Sequence, residues 1–183
     1  YYSVGREVFG AREAIVRVLG LRTVKSLTLS LLLSATFDVS RCPRFDLVDH
    51  WARALGTAML ARRLTEAVGA GDPDEAYLCG LLHDYGTLLL VHVYPDEMDE
   101  LLLAGSGDRE LFRARQVRRI GLDAGRAGAI LCRRWSLPAN VGVVAEHYWD
   151  TGWDGPGAEL CRHVGAASQR VDRLLAAVPD GRI

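Results

Sequence analysis

A chain of 183 residues, 49% hydrophobic and 25% charged, is long enough for one substantial core and too apolar for a disordered segment. Its 22 basic and 23 acidic residues nearly cancel, and a formal charge of −1 leaves no electrostatic footprint for nucleic acid. The longest strongly apolar stretch, Leu27 to Ala35, is interrupted by Thr28, Ser30 and Ser34 and is too short to span a bilayer, so no membrane insertion is expected.

Helical periodicity dominates the chain. Ala11, Ala14, Ile15, Val18 and Leu19 repeat at helical spacing up to Gly20, and Leu21 to Phe37 is apolar on nearly all sides, as a central helix would be. Arg41-Cys42-Pro43 breaks the chain. A long helix is predicted from about Asp46, with Trp51, Ala54, Leu55, Ala58, Met59 and Ala61 toward the core, stopped by Gly69 to Gly71. Asp72-Pro73-Asp74-Glu75 is a strong helix start, combining a cap, a first-turn proline and carboxylates at the positive end of the dipole. The helix it opens is predicted to run through His83-Asp84 to about Val91. Pro95 opens a short helix, Asp108 and Asp123 can cap two more, and the second of those ends near Trp135 so that Pro138 restarts the chain. A glycine-rich loop carrying Trp149 and Trp153 follows, and a last helix spans about Ala158 to Ala177. Alternating strand patterns and phosphate-cradling glycine loops are absent, so the expected class is all-α, a compact bundle of about eight to ten helices.

Cys42, Cys79, Cys132 and Cys161 stand far apart without a C-x-x-C pair, unlike a zinc ribbon or a disulfide scaffold. They are expected to be reduced, mostly buried thiols of a cytoplasmic protein. Arg113, Arg115, Arg118 and Arg119, the densest basic group, read as a solvated helix face. His92 reads as a helix-end residue and His163 as a partly exposed polar position; Trp149 and Trp153 are expected to tuck onto the core. No serine or cysteine stands in a recognisable nucleophile setting.

One string carries chemistry. Gly80-Leu81-Leu82-His83-Asp84-Tyr85-Gly86 resembles the G-L-L-H-D-x-G of the HD superfamily, where an adjacent His-Asp pair holds a divalent ion and its water. Ala14-Ile15-Val16-Arg17-Val18-Leu19-Gly20 with Leu27-Thr28-Leu29-Ser30 is similar to a segment of the HDOD (HD-related output domain) family. Trp51-Ala52-Arg53-Ala54 leading to Thr57-Ala58 is similar to its long helix, and Trp135-Ser136-Leu137-Pro138 with Glu146-His147 to its later part. The resemblance covers about residues 8 to 170. It implies a single HD-like helical domain over residues 1–183 that lacks part of the family's N-terminal portion. It further implies a bacterial signal-transduction module that works by binding a protein partner, an attached receiver or cyclic-dinucleotide domain, or a small signalling ligand.

An HD hydrolase needs an earlier histidine and a late aspartate besides His83 and Asp84. Alignment through Trp51 places Arg53 at the first position, Ser168 falls at the second, and Ala124 stands where relatives often show histidine. A guanidinium stays charged in proteins and repels a cation. The expectation is therefore no metal, no cofactor and no catalytic residue, with His83, Asp84 and Arg53 forming a structural polar cluster. The alternative is a metal-dependent phosphohydrolase or phosphodiesterase whose ligands are His50, His83, Asp84 and His147, with Asp150 as a further candidate. Helical register argues against His50, three positions from Arg53.

Overall fold

A computed structural model of the chain describes residues 36–105 and 108–177. The helices expected over residues 11–20 and 21–37 lie outside the described residues, apart from the last two positions. Among the described residues every regular element is a helix, as the all-α reading expected; the count of eight to ten spans the whole chain. No helix among them is long and apolar enough to cross a membrane.

Local chemistry sets most helix ends. Helix α1, Leu47–Val68, starts where the Asp46 carboxylate accepts the Val48 and Asp49 N–H groups, and it ends at Gly69, whose φ of 72° suits glycine. Its inward stripe is His50, Ala54, Thr57, Ala58, Ala61 and Thr65. Leu55 and Met59, expected in the core, face outward instead, with Met59 63% exposed. The reason lies in the neighbouring helix α2, Pro73–Leu82. A Cβ on Gly80 would sit 2.7 Å from the Ala58 Cα, so the two helices meet backbone to backbone through small residues and leave larger ones outside.

The predicted helix through His83-Asp84 is two helices. Helix α2 stops at Leu82, and α3, Tyr85–Val93, begins after Asp84, whose φ of −116° and ψ of 23° leave the helical region. Tertiary packing accounts for the break. Helix α3 must approach α6, Ala124–Arg134, so closely that a Cβ on Gly86 would lie 1.7 Å from the Ala124 carbonyl oxygen. Re-aiming the chain at residues 83–84 permits that approach and turns both side chains toward the same cavity.

Helix α4, Pro95–Leu103, opens at its proline, and α5, Arg109–Ile120, is capped by Asp108 and closed by Gly121. Asp123 caps α6 through the Arg126 N–H. Helix α7, Ala139–His147, restarts after Pro138, and α8, Ala158–Ala176, follows Gly157. The main core gathers Leu82, Tyr85, Leu88, Val141, Val144 and Val164 between α2, α3, α7 and α8, while Leu90, Val91, Met98 and Leu101 form a second cluster at α3 and α4. Each such aliphatic side chain contributes about 1.5–3 kcal/mol by leaving water. All four cysteines are free and buried. Burial pushes their thiols up, Cys132 and Cys161 to about 11.

Candidate functional site

The helix break opens onto a cavity of about 190 Å³ whose walls come from α1, residues 83–87, α5, the start of α6, the chain after α7, and α8. His50, from the first turn of α1, is buried, and its Nδ1 stands 3.7 Å from Asp84 Oδ2. His83 Nδ1 lies 2.7 Å from the Gly80 carbonyl oxygen, so that nitrogen carries the proton and donates, leaving Nε2 as a bare lone pair. The ring also meets the Tyr148 ring edge-on at 4.8 Å. Burial holds both imidazoles below the ordinary histidine range, against the opposing pull of Asp84. It also pushes the Tyr148 phenol well up, aided by Asp84. Asp84 Oδ1 accepts the Thr87 hydroxyl at 2.6 Å.

Arg53 lines the same cavity, but its guanidinium goes elsewhere. It donates to Asp49 and to Asp172, 2.6 Å in each case, while the residues placed against Asp84 are His50 and Thr87. Arg109 completes the group from α5: it donates to the second oxygen of Asp172, and its Nη atoms stand 3.4 Å from Ser168 Oγ. Beside it, Arg113 donates to Asp123 at 2.9 Å and lies flat on the Trp149 ring, 3.5 Å from its centroid. Trp149 is thereby tucked and half-buried, as expected. Trp153 is too, stacked on His147 at 3.6 Å and 5°. His163 pairs with Thr65 at 2.9 Å, and His92 sits in the last turn of α3 and accepts the Asp38 N–H.

The structure therefore brings His50, His83 and Asp84 to one cavity and leaves His147 out of its lining. His147 is diverted because its ring is the platform for Trp153, and Asp150 because its carboxylate caps the Gly152 N–H at 2.9 Å. The register argument against His50 fails for a physical reason. The inward stripe of α1 runs through residue 50, and Arg53 stands at its polar edge. A divalent ion does not fit what remains. Three guanidiniums share the cavity with the carboxylates, and among the described residues no three His, Cys, Asp or Glu side chains stand close enough to hold a metal. Asp172 escaped the sequence reading although it lies one helical turn beyond Ser168. Arg109 and Tyr148 left no signal in spacing.

The profile of the HDOD domain matches residues 1–151. The chain belongs to the HDOD family. An uncharacterized protein of Treponema pallidum (strain Nichols) is 29% identical to it over 151 residues, 76% of this chain and 27% of the relative. An HDOD domain protein of unknown function from Geobacter sulfurreducens shares the fold, with a TM-score of 0.76 over 100% of this chain and 60% of that one, at 23% identity. The MmoQ response regulator of Methylococcus capsulatus str. Bath superposes with a TM-score of 0.63 over 77% of this HDOD chain and 56% of its own, at 26% identity. The chain spans less than two thirds of the length of each of these relatives.

Proposed function

We propose that this HDOD chain is a regulatory module of bacterial signal transduction that binds a protein partner or a small signalling ligand and turns nothing over. One observation carries the reading: Arg53, Arg109 and Arg113 line the cavity that holds His83 and Asp84, and two of them clamp Asp172. A hydrolase of HD type needs a divalent ion there to lower the pKa of a water. Fixed guanidiniums supply positive charge without binding water as a nucleophile. The likeness to a response regulator supports an attached receiver domain as the partner, in a cytoplasmic setting. The test is hydrolysis of bis-p-nitrophenyl phosphate with Mn²⁺, run alongside metal analysis of protein purified without chelator. Release of nitrophenol at the buffer rate and no stoichiometric metal are expected. A rate that Asp84→Ala abolishes would overturn the proposal in favour of a phosphodiesterase.

A further inference from the structure

Helix α5 differs from its neighbours in what holds it. Among its 12 residues Gln116 alone is buried. Helix α6, by contrast, buries Ala127, Ala129, Leu131 and Cys132, and α8 buries Cys161, Val164, Ala167 and Val171. Leu111 and Val117 of α5 stand 46% and 43% exposed, and its apolar anchorage is Phe112 and Ile120, both partly buried against the second cluster. A helix that buries so little apolar surface gains little from packing and belongs to the part of a fold that opens first.

The rest of its attachment is polar and divides along the helix. The C-terminal half is tied down by Arg119, which donates to Glu100 of α4 at 2.9 Å, and by Gln116, whose amide oxygen accepts the Ala124 N–H at 3.1 Å. In the N-terminal half, Arg113 donates to Asp123, while Arg109 donates to Asp172 of α8 and lies over the Tyr148 ring, 5.5 Å from its centroid. One carboxylate thus clips two helices to α8: Asp172 Oδ1 takes Arg53 of α1, and Oδ2 takes Arg109 of α5. Arg109, Phe112 and Arg113 are walls of the His83–Asp84 cavity. Arg109, Trp149 and Asp172 also line a neighbouring groove of about 570 Å³ between the start of α5 and α8, so the ion pair stands between groove and cavity. The side chains of Arg109 and Asp172 are 38% and 32% exposed. A pair so open to water and salt biases a position without fixing it.

We propose that the N-terminal half of α5 is a lid on the His83–Asp84 cavity, latched by the Arg109–Asp172 pair, and that its opening joins the cavity to the groove between α5 and α8. Opening carries Arg109, Phe112 and Arg113 off the cavity and uncovers His83, whose ring lies behind Tyr148. The lid gives the binding-module reading a route of entry but does not depend on it, because the latch opens with or without a ligand.

Two readouts on the full chain test this: hydrogen exchange by mass spectrometry, and carbethoxylation of the histidines by diethyl pyrocarbonate, located by peptide mass. A detached turn of helix does not hold its hydrogen bonds, so the amides of residues 113–116 are expected to exchange about tenfold faster than those of 127–132 in α6. His83 is expected to be carbethoxylated more slowly than His92, which is exposed. Arg109→Gln and Asp172→Asn release the latch from either end. Each is expected to speed both exchange at 113–116 and modification of His83 by about threefold or more, with 127–132 unchanged. Arg53→Gln removes the α1 side of the clip and leaves Arg109 on Asp172, so both rates are expected to stay within about twofold of wild type. Residues 113–116 exchanging in step with 127–132, a His83 rate that neither latch variant moves, or faster exchange in every helix alike would overturn the inference. None of those results touches the absence of turnover, which the phosphodiester assay reads separately.

Discussion

Only Tyr85 separates Asp84 from Gly86, yet the two belong to opposite kinds of structure. At Gly86 the chain presses on α6 with no side chain between, and a single added methyl would meet the Ala124 oxygen, the Gly128 nitrogen and the Ala124 carbon within 2.7 Å. At Asp84 the neighbours are a hydroxyl, an imidazole and a cavity, each able to shift or exchange partners. The crossing has no adjustable part, so its tolerance is set by backbone positions. The cavity is a set of compensated charges, and its tolerance is set by how many partners each charge keeps.

The comparison can be broken most directly at its rigid half. Gly86→Ala is expected to cost more than about 3 kcal/mol, beyond the ordinary range for overpacking, because both obstructing groups are backbone. Urea denaturation followed by circular dichroism measures it, and a wild-type midpoint would mean that α3 and α6 can part without penalty. Gly80→Ala is expected to cost less, about 1–3 kcal/mol, offset in part by the roughly 1 kcal/mol that alanine gains over glycine inside a helix. The Ala58 backbone stands 2.7 Å from the added carbon there.

The adjustable half should show itself in pH. His50 and His83 have folded pKa values below the ordinary 6.5, so between those values and 6.5 the unfolded chain binds more protons than the folded one. Stability is therefore expected to be full above pH 6.5 and to fall on acidification below it, by at most about 1.4 kcal/mol per pH unit for each imidazole. Denaturation midpoints at pH 7.5, 6.5 and 5.5 check this, and His83→Gln should flatten the slope. The smallest effect belongs to Arg53→Ala. Its side chain is 39% exposed and shares Asp172 with Arg109, so about 1 kcal/mol or less is expected by the same denaturation assay. A loss of several kcal/mol would put Arg53 at the centre of the cluster after all.

Much of this architecture was legible in the sequence, because capping is local chemistry. Asp72, Asp108 and Asp123 each accept the N–H groups their positions promised, and Pro95 and Pro138 open or precede the helices they were expected to. The interruption at His83-Asp84 was not legible. Nothing in Gly80 to Gly86 forbids a continuous helix, and only the demand of α6 for a bare backbone at Gly86 bends it. The cavity was half legible for a related reason. The His-Asp pair announces itself, but choosing between His50 and Arg53 depends on which face of α1 is turned inward, and small residues packed against α2 decide that. Arg109 and Asp172 meet across the fold from residues 63 positions apart, a pairing no local pattern encodes.

The buried thiols turn the molecule into its own timekeeper. With pKa values raised by burial, Cys79, Cys132 and Cys161 hold little thiolate near neutral pH, and buried as they are they react slowly with an alkylating reagent while the core is closed. Each sits on a different helix, α2, α6 and α8, while Cys42 lies under the second cluster with Leu90 and Met98. The order in which a maleimide marks them, read by peptide mass, would be the order in which those helices open. A ligand that closes the cavity would slow the clocks of the helices that form its walls and leave the others running.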